Sequence, residues 1–307
     1  MKKLLKKAAI IALASSMIVS SGIIVMAEET AAAQETQAAT DLSQDPVVNA
    51  QEDQRVVDFY KDSIVLGDSV ANGFERYAIQ RKANPILANL QFMTQPRYSI
   101  HDELQAIGTE GVNHFWYGGA QHYAYEMVGL LGAKHVYLSL GLNDIKARPS
   151  EVFEQYKTYI GQIKAANPDA DITIISTTYI HPDAQTSLAG IKSWAFDNAT
   201  VRKLNDSMQA YAAENGYGYI DIANRLADAN GNLNPIYCTD KYIHQNAEAY
   251  AIWVQCLREY AAAQNYVHAN DAAAAAMAET AAVETAAADA AAAGSTEEVI
   301  PVVPTQA

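Results

Sequence analysis

The chain has 307 residues, of which 35 are acidic and 21 basic, and its formal net charge is −14. It has no stripe of lysine and arginine to meet phosphates, so this balance argues against a nucleic-acid-binding protein. Length alone allows about two domains, but residues 261–307 contain six acids, no lysine or arginine, and 20 alanines among 47 positions. The composition therefore excludes two equal globular domains and predicts one folded core between two polar arms.

The first residues have the pattern of a secretory signal peptide. Four lysines lie within residues 2–7, and residues 8–27 carry no charge. Val25 and Ala27 are small residues at the positions that a signal peptidase needs, so we expect cleavage after Ala27. An uncleaved anchor is the alternative, although serines and a glycine dilute this stretch. The mature protein is then expected to be secreted or held at the cell surface, with no stable membrane span.

Composition also predicts where the folded part of the chain begins and ends. The two arms lack the apolar periodicity that would let them bury surface. The predicted organisation is a signal peptide at 1–27, a disordered acidic linker at 28–55, a folded domain at 56–265 and a disordered alanine-rich tail at 266–307.

Apolar runs and helical periods alternate through the middle of the chain. Four short apolar runs are typical of buried strands and a fifth is weaker: residues 63–66, 134–140, 171–177 and 217–222, and then residues 111–117. Apolar side chains spaced three or four apart predict helices over residues 152–163, 201–211 and 247–257. This alternation predicts an α/β fold, a three-layer α/β/α sandwich with a mostly parallel five-stranded sheet. Sites in such folds form at the carboxyl ends of the strands.

The first predicted strand is followed by Gly67, Asp68 and Ser69. Gly67 permits a tight turn, and Ser69 falls where a helix is expected to begin. A serine hydroxyl at that place can attack a carbonyl carbon while its own N–H helps to hold the resulting oxyanion. The same residues are also ordinary helix-start residues, which cap free N–H groups. Ser69 is therefore a candidate nucleophile with a structural alternative.

Two further residues could donate hydrogen bonds to that oxyanion. Asn143 follows the run 134–140 and offers a side-chain amide. Gly119 follows the run 111–117, and a glycine lets its N–H approach a substrate closely. Capping or an Asx turn would also explain Asn143, and a plain strand-to-helix turn would also explain Gly119.

A histidine and an aspartate lie just before the last predicted helix. His244 could deprotonate a serine, and Asp240, four residues earlier, could orient its ring. A solvated loop is the alternative, and His181, after the fourth strand, is the next candidate base. Each of these signals is weak alone, but all lie at predicted strand-to-helix junctions and together favour one site.

Four short motifs, in this order, carry a family resemblance. GDSV, GGA and GLND match the family's first three blocks, and Asp240 with His244 stands in for the last. Over about residues 62–260 the chain resembles the SGNH hydrolases, also called the GDSL esterase/lipase family. The resemblance implies that family's flavodoxin-like fold and the following roles: Ser69 as nucleophile, His244 as base, and Ser69, Gly119 and Asn143 as the oxyanion hole.

The last motif departs from the family pattern, which is usually Asp-x-x-His. Here Asp240 precedes His244 by four residues, and the residue three before it is Lys241, which cannot accept a ring N–H. Either the loop carries an extra residue and Asp240 still reaches the histidine, or a backbone carbonyl orients the ring. We favour the first alternative, with Asp240 as the orienting acid.

The resemblance implies an exported serine esterase that works through an acyl-enzyme. The sequence has no H-E-x-x-H motif and no pair of Cys-x-x-Cys motifs, so we expect neither a metal nor another cofactor. Short acyl esters are the expected substrates, with O-acetyl groups on glycans as a candidate class. No sequence feature identifies a partner protein. A catalytically inactive surface binding or scaffold module is the alternative.

The two cysteines are expected to be free thiols rather than a disulfide. Cys238 lies in the loop before the last predicted helix, and Cys256 lies about ten residues into that helix. This spacing makes it hard to bring the two Cα atoms within about 7 Å. Two buried free thiols are therefore favoured, although export would permit a disulfide.

Overall fold

The computed structural model describes residues 41–145, 149–188 and 196–264. Within them lie seven strands: β1 (Ser63–Gly67), β2 (Leu90–Thr94), β3 (Phe115–Tyr117), β4 (Ala120–His122), β5 (His135–Ser139), β6 (Asp171–Ile175) and β7 (Gly218–Ile220). Five of them form one parallel sheet in the order β2-β1-β5-β6-β7, and β3 pairs with β4 as an antiparallel hairpin.

Helices connect the parallel strands and flank the sheet. They are α1 (Gln54–Phe59), α2 (Ser69–Gln80), α3 (Pro85–Asn89), α4 (Ile100–Glu103), α5 (Ala124–Leu130), α6 (Pro149–Ala166), α7 (Pro182–Leu188), α8 (Asn198–Asn215) and α9 (residues 247–264). The predicted α/β fold with a five-stranded sheet is confirmed. None of the described helices combines the length and apolar composition needed to cross a bilayer.

Four of the five predicted strands are confirmed, and the fifth is wrong. Residues 115–117, the end of the run 111–117, pair only with β4 and lie outside the parallel sheet. The fifth sheet strand is β2, which pairs with β1 and forms one edge. An edge strand has a neighbouring strand on one side only, and in β2 only the first and fourth of the five residues are buried. It therefore lacks the continuous apolar run that marks the central strands.

The helix that begins at Ser69 is fixed against α9. β1 is buried at all five positions, and α2 follows it directly. The Tyr250 hydroxyl of α9 donates a hydrogen bond to the Val70 carbonyl at 2.9 Å. A Cβ at Gly73 would collide with that same hydroxyl, so a glycine is needed where the two helices meet. Packing thus holds the start of α2 near the loop that precedes α9.

The folded domain begins earlier than the sequence predicts. Val47 is buried with 4% of its surface exposed, and the Asp45 carboxylate pairs with Arg81 at 2.8 Å. Glu52 also pairs with Arg258 of α9, at 2.5 Å. The predicted end of the linker at residue 55 is therefore wrong, since residues 45–52 pack on the domain. The signal peptide, the rest of the linker and the tail from residue 266 lie outside the described residues and stay predictions.

Both cysteines are free thiols. Cys256 is buried, as expected, whereas Cys238 is only partly buried, and its Sγ lies 3.4 Å from an Asp240 oxygen. The prediction of free thiols is therefore confirmed, and the prediction that both are buried holds for Cys256 alone.

Candidate active site

Ser69 is the first residue of α2, directly after the carboxyl end of β1. Asp68 caps this helix, and its side chain accepts a hydrogen bond from the Val70 N–H at 2.9 Å. Burial raises the pKa of Asp68 to about 6, although the N–H groups that it accepts act in the opposite direction. The cap is thus provided by Asp68, which leaves the Ser69 side chain available, and Ser69 is only partly buried.

His244 joins Ser69 to Asp240. Its Nε2 lies 3.1 Å from the Ser69 Oγ, and its Nδ1 lies 2.5 Å from the Asp240 Oδ2. The histidine side chain is 44% exposed and therefore open to a substrate and to water. One carboxylate, one imidazole and one hydroxyl are thus connected in a line, which is the arrangement that a serine hydrolase uses.

The loop before α9 explains how a four-residue spacing still brings the two side chains together. The Asp240 Oδ1 accepts the backbone N–H groups of Tyr242, Ile243 and His244 at 2.8, 3.1 and 3.2 Å. Lys241 has a φ of 55°, so the extra residue is absorbed by a left-handed turn. This geometry corresponds to the first of the two alternatives, in which Asp240 reaches the histidine.

Two opposing effects set the charge of Asp240. Burial favours the neutral acid and would raise its pKa, but the hydrogen bonds from His244 and from the Tyr242 N–H lower it. The pKa of Asp240 ends below its ordinary value, so this side chain is a carboxylate at neutral pH. A carboxylate beside Nδ1 places the ring proton there and leaves Nε2 able to accept a proton from Ser69.

Asn143 lies in the loop after β5. In the sheet, β5 is next to β1 on the side opposite β2. The Asn143 side-chain amide donates a hydrogen bond to the Tyr98 carbonyl at 2.9 Å. The next residue, Asp144, is buried and accepts the N–H groups of Ile100 and His101 at 3.2 and 3.1 Å. Burial raises the pKa of Asp144 to about 7. These bonds join the loop after β5 to the segment after β2, which ends in α4. Both segments therefore lie at the carboxyl end of the sheet, as Ser69 does.

Gly119 does not lie at a strand-to-helix junction, contrary to the premise on which it was chosen. Gly118 and Gly119 have φ values of 58° and 85° and form the two-residue turn between β3 and β4. Positive φ at both positions is typical of the tight hairpin turn for which glycine is preferred. The following helix, α5, begins only at Ala124.

The loop after β2 has a position that sequence reasoning missed. The Gln95 N–H bonds to the Gly67 carbonyl, the Tyr98 N–H bonds to the Gln95 carbonyl, and Pro96 has no N–H. Arg97 has a φ of 66°, and its N–H has no partner among the described residues. A glycine with that backbone conformation would have been a sequence signal, but an arginine at this position gives none.

The remaining candidates are accounted for by structural contacts. The His181 ring is buried, its Nδ1 accepts the Asp183 N–H at 3.2 Å, and its own backbone N–H bonds to the Tyr242 carbonyl. His181 thus supports the loop that carries His244. Among residues 41–145, 149–188 and 196–264, no group of three or more histidine, cysteine, aspartate or glutamate side chains could hold a metal ion.

The fold and motifs agree with a comparison against known families. The model of the GDSL-like lipase/acylhydrolase family matches residues 65–252, which is more than half of the chain. The chain belongs to this family and is an ester-hydrolysing serine hydrolase. The resemblance seen in the sequence motifs is therefore confirmed.

Solved structures share this fold at low sequence identity. A GDSL-like lipase from Bacteroides thetaiotaomicron VPI-5482 is 14% identical, with a TM-score of 0.50 over 74% of this chain and 98% of the other. A candidate acylhydrolase from Bacteroides fragilis NCTC 9343 is also 14% identical, with a TM-score of 0.50 over 74% of this chain and 97% of the other. No curated protein matches the sequence.

The left-handed turn at Lys241 leads to a first testable prediction. Proline fixes φ near −65° and cannot adopt the conformation seen there, so Lys241→Pro should displace Asp240 from His244. A displacement of about 1 Å at a catalytic group can lower the rate by roughly 100-fold. We expect a loss of this order in kcat/KM for p-nitrophenyl acetate. Lys241→Gly removes the same side chain but tolerates the turn, and it should keep the wild-type rate. Equal rates for the two variants would contradict this role of the turn.

Proposed function

We propose that this protein is an exported esterase in which Ser69 is the nucleophile, His244 the general base and Asp240 the acid that orients the histidine. The observation that carries the proposal is the line of contacts from the Ser69 Oγ to the His244 Nε2 at 3.1 Å and from Nδ1 to the Asp240 Oδ2 at 2.5 Å. These distances lie within the reach of proton transfer without rearrangement of the chain.

The reaction proceeds through an acyl-serine. His244 accepts the hydroxyl proton as the Ser69 Oγ attacks the ester carbonyl carbon, and a tetrahedral intermediate forms. The protonated histidine gives this proton to the leaving alcohol oxygen, and the C–O bond of the ester breaks. His244 then deprotonates a water molecule, which attacks the carbonyl carbon of the acyl-serine. The bond between that carbon and the Ser69 Oγ breaks, the protonated histidine returns its proton to Oγ, and the carboxylic acid leaves. Asp240 stabilises the positive charge on the imidazolium in both halves of the reaction.

Three groups are suited to hold the oxyanion. The Ser69 N–H lies in the first turn of α2, where backbone N–H groups lack helical partners. The Asn143 amide has two hydrogens, and only one is used by the Tyr98 carbonyl. We assign the third donor to the Arg97 N–H instead of Gly119. Arg97 follows the strand paired with β1, its N–H has no partner among the described residues, and the premise for Gly119 is lost.

The substrate and the location rest on chemistry and on the N-terminal pattern. We propose short acyl esters, with O-acetyl groups on glycans as the natural class, because the candidate site residues Ser69, Asn143 and His244 are polar and only partly buried. We propose export because residues 1–27 have the pattern of a cleaved signal peptide. The alternative, an inactive binding module, draws its support from the unusual spacing of Asp240 and His244. The 2.5 Å contact between these two side chains favours the enzyme instead.

The test of this function is a comparison of acyl chain lengths. The purified protein should hydrolyse p-nitrophenyl acetate with a higher kcat/KM than the octanoate or palmitate ester, and it should release acetate from an O-acetylated polysaccharide. Faster hydrolysis of palmitate would contradict the short-acyl specificity. Absence of hydrolysis with every ester would contradict the catalytic assignment. N-terminal sequencing of protein recovered from the culture medium should begin at residue 28 if cleavage follows Ala27.

A further inference from the structure

A second polar cluster lies beside Ser69, between α2 and β2. Asn72 is three residues after Ser69, on the neighbouring part of the same helix face. Its Nδ2 donates to the Thr94 Oγ1 at 2.9 Å and to the Glu75 Oε2 at 3.3 Å. The Thr94 hydroxyl also donates to the Glu75 Oε2. Thr94 ends β2 and is paired with Gly67, the last residue of β1. This cluster, Asn72–Glu75–Thr94, therefore lies at the same carboxyl end of the sheet as the nucleophile.

The unused hydrogen-bond donors and acceptors of this cluster show what it can bind. The two amide hydrogens of Asn72 and the hydroxyl hydrogen of Thr94 are all used inside the cluster. The Asn72 Oδ1 and the Glu75 Oε1 have no partner among the described residues, and all three side chains are only partly buried. The cluster therefore offers acceptors and no donors. A ligand that satisfies it must bring hydrogen-bond donors.

Charge distinguishes between the two kinds of donor that could enter. Hydroxyl groups and an ammonium group can both donate to a carboxylate. Arg76 is adjacent to Glu75 in sequence, and Arg97 follows Thr94 by three residues; both are exposed, and neither has an ion-pair partner among the described residues. Two positive charges that lie within three residues of the cluster in sequence disfavour a cationic ligand. A neutral hydroxyl donor avoids this repulsion.

We infer that the Asn72–Glu75–Thr94 cluster binds hydroxyl groups on the alcohol part of the ester, so that the enzyme prefers esters of polyhydroxylated alcohols such as sugars. This inference rests on the proposed function, because it concerns the alcohol that leaves from the Ser69 site. Glu75 is then a specificity-determining residue and takes no part in proton transfer. Its free oxygen accepts a substrate hydroxyl while its other oxygen is held by Asn72 and Thr94.

The test uses two acetate esters with six-membered rings. Methyl 6-O-acetyl-glucoside carries free hydroxyls, and cyclohexylmethyl acetate carries none. We expect the full-length wild-type protein to have the higher kcat/KM for the sugar ester. In Glu75→Gln the amide oxygen can keep the bonds from Asn72 and Thr94, while its NH₂ group replaces the free acceptor with a donor. The ratio of the two kcat/KM values should fall by about tenfold, the lower range for a hydrogen bond to a charged group.

A matched control and a second variant keep the result interpretable. Glu214 lies in the last turn of α8, just before the start of β7. It therefore lies at the amino end of the parallel strands, whereas Ser69 lies at their carboxyl end. Glu214→Gln makes the same chemical change at the amino end and should leave the ratio unaltered. Asn72→Ala removes the other free acceptor and should lower the ratio in the same direction, which provides a test if Glu75→Gln does not fold.

Each contrary outcome has its own meaning. An unchanged ratio in folded Glu75→Gln and Asn72→Ala, with both esters hydrolysed, would overturn this inference and leave the esterase assignment standing. A selective loss of activity toward acetylcholine in Glu75→Gln would show that the cluster binds a cation, and it would also overturn the inference. If wild-type protein hydrolyses neither acetate ester, nor p-nitrophenyl acetate, the proposed function fails and this inference fails with it.

Discussion

Replacing Ser69 by alanine is expected to lower kcat/KM for p-nitrophenyl acetate by about 10⁴-fold or more, as for the nucleophiles of other serine hydrolases. The variant should fold normally, because the helix cap is provided by Asp68 and not by the serine. The loss should appear in kcat, since the hydroxyl forms the covalent bond of the acyl-enzyme. Initial rates and thermal melting of both proteins provide the measurement.

Ser207→Ala is the matched control for this substitution. Ser207 is a helical serine of α8 whose hydroxyl donates to the Lys203 carbonyl of the same helix and to no other group in the part of the chain that the structure describes. Its loss should leave kcat/KM within about twofold of wild type, because surface substitutions away from special features have small effects. A Ser69→Ala variant that keeps more than a few per cent of wild-type activity would reject Ser69 as the nucleophile.

Replacing Asp240 by asparagine is expected to lower kcat/KM by roughly 10⁴-fold, the loss seen when the corresponding aspartate is replaced in serine proteases. The asparagine Oδ1 can still accept the N–H groups of Tyr242, Ile243 and His244, so the loop should persist. Its NH₂ group would then face the His244 Nδ1. That contact favours the tautomer with the proton on Nε2, which cannot take the Ser69 proton.

The alternative for Asp240 gives a different number in the same experiment. If a backbone carbonyl orients His244, Asp240→Asn should cost only a few-fold, while His244→Ala still abolishes turnover. Asp228→Asn is a suitable control, because the Asp228 Oδ1 likewise accepts two backbone N–H groups in a turn, from Asn230 and Asn232. The control should retain wild-type kcat/KM. A lower kcat/KM in this variant would show that a weakened turn alone can reduce activity.

The central strands and the nucleophile could be predicted because their signals are local. β1, β5 and β6 are buried over most of their length, so each reads as an apolar run, and Ser69 follows the first of them at the junction that the sequence indicates. The edge strand could not be predicted in this way, since β2 buries only two of its five residues. Because β2 gives no such signal, the sequence indicates residues 111–117 as the fifth strand. Gly119, which follows them, is then predicted to lie at a strand-to-helix junction.

Other features depend on partners that are distant in sequence. Asp45 pairs with Arg81, which lies 36 positions later, and nothing near Asp45 in the sequence announces that partner. The backbone conformations at Arg97 and Lys241 were equally hidden, because both positions are left-handed without being glycine. For a non-glycine residue such a backbone is costly, by about 1–2 kcal/mol. Both of these residues flank the candidate active site, where strained backbone is often found.

The pairing of Glu52 with Arg258 has a consequence for how the domain assembles. The two residues are 206 positions apart, and the guanidinium donates to both carboxylate oxygens. Bringing them together closes a loop through nearly the whole domain, and the entropy cost of such closure grows with the logarithm of loop length. A contact of this kind gains little until the intervening sheet has formed, so it is expected to form after the main folding barrier. Such an ion pair stabilises the native domain but not the transition state, so it slows unfolding more than it speeds folding.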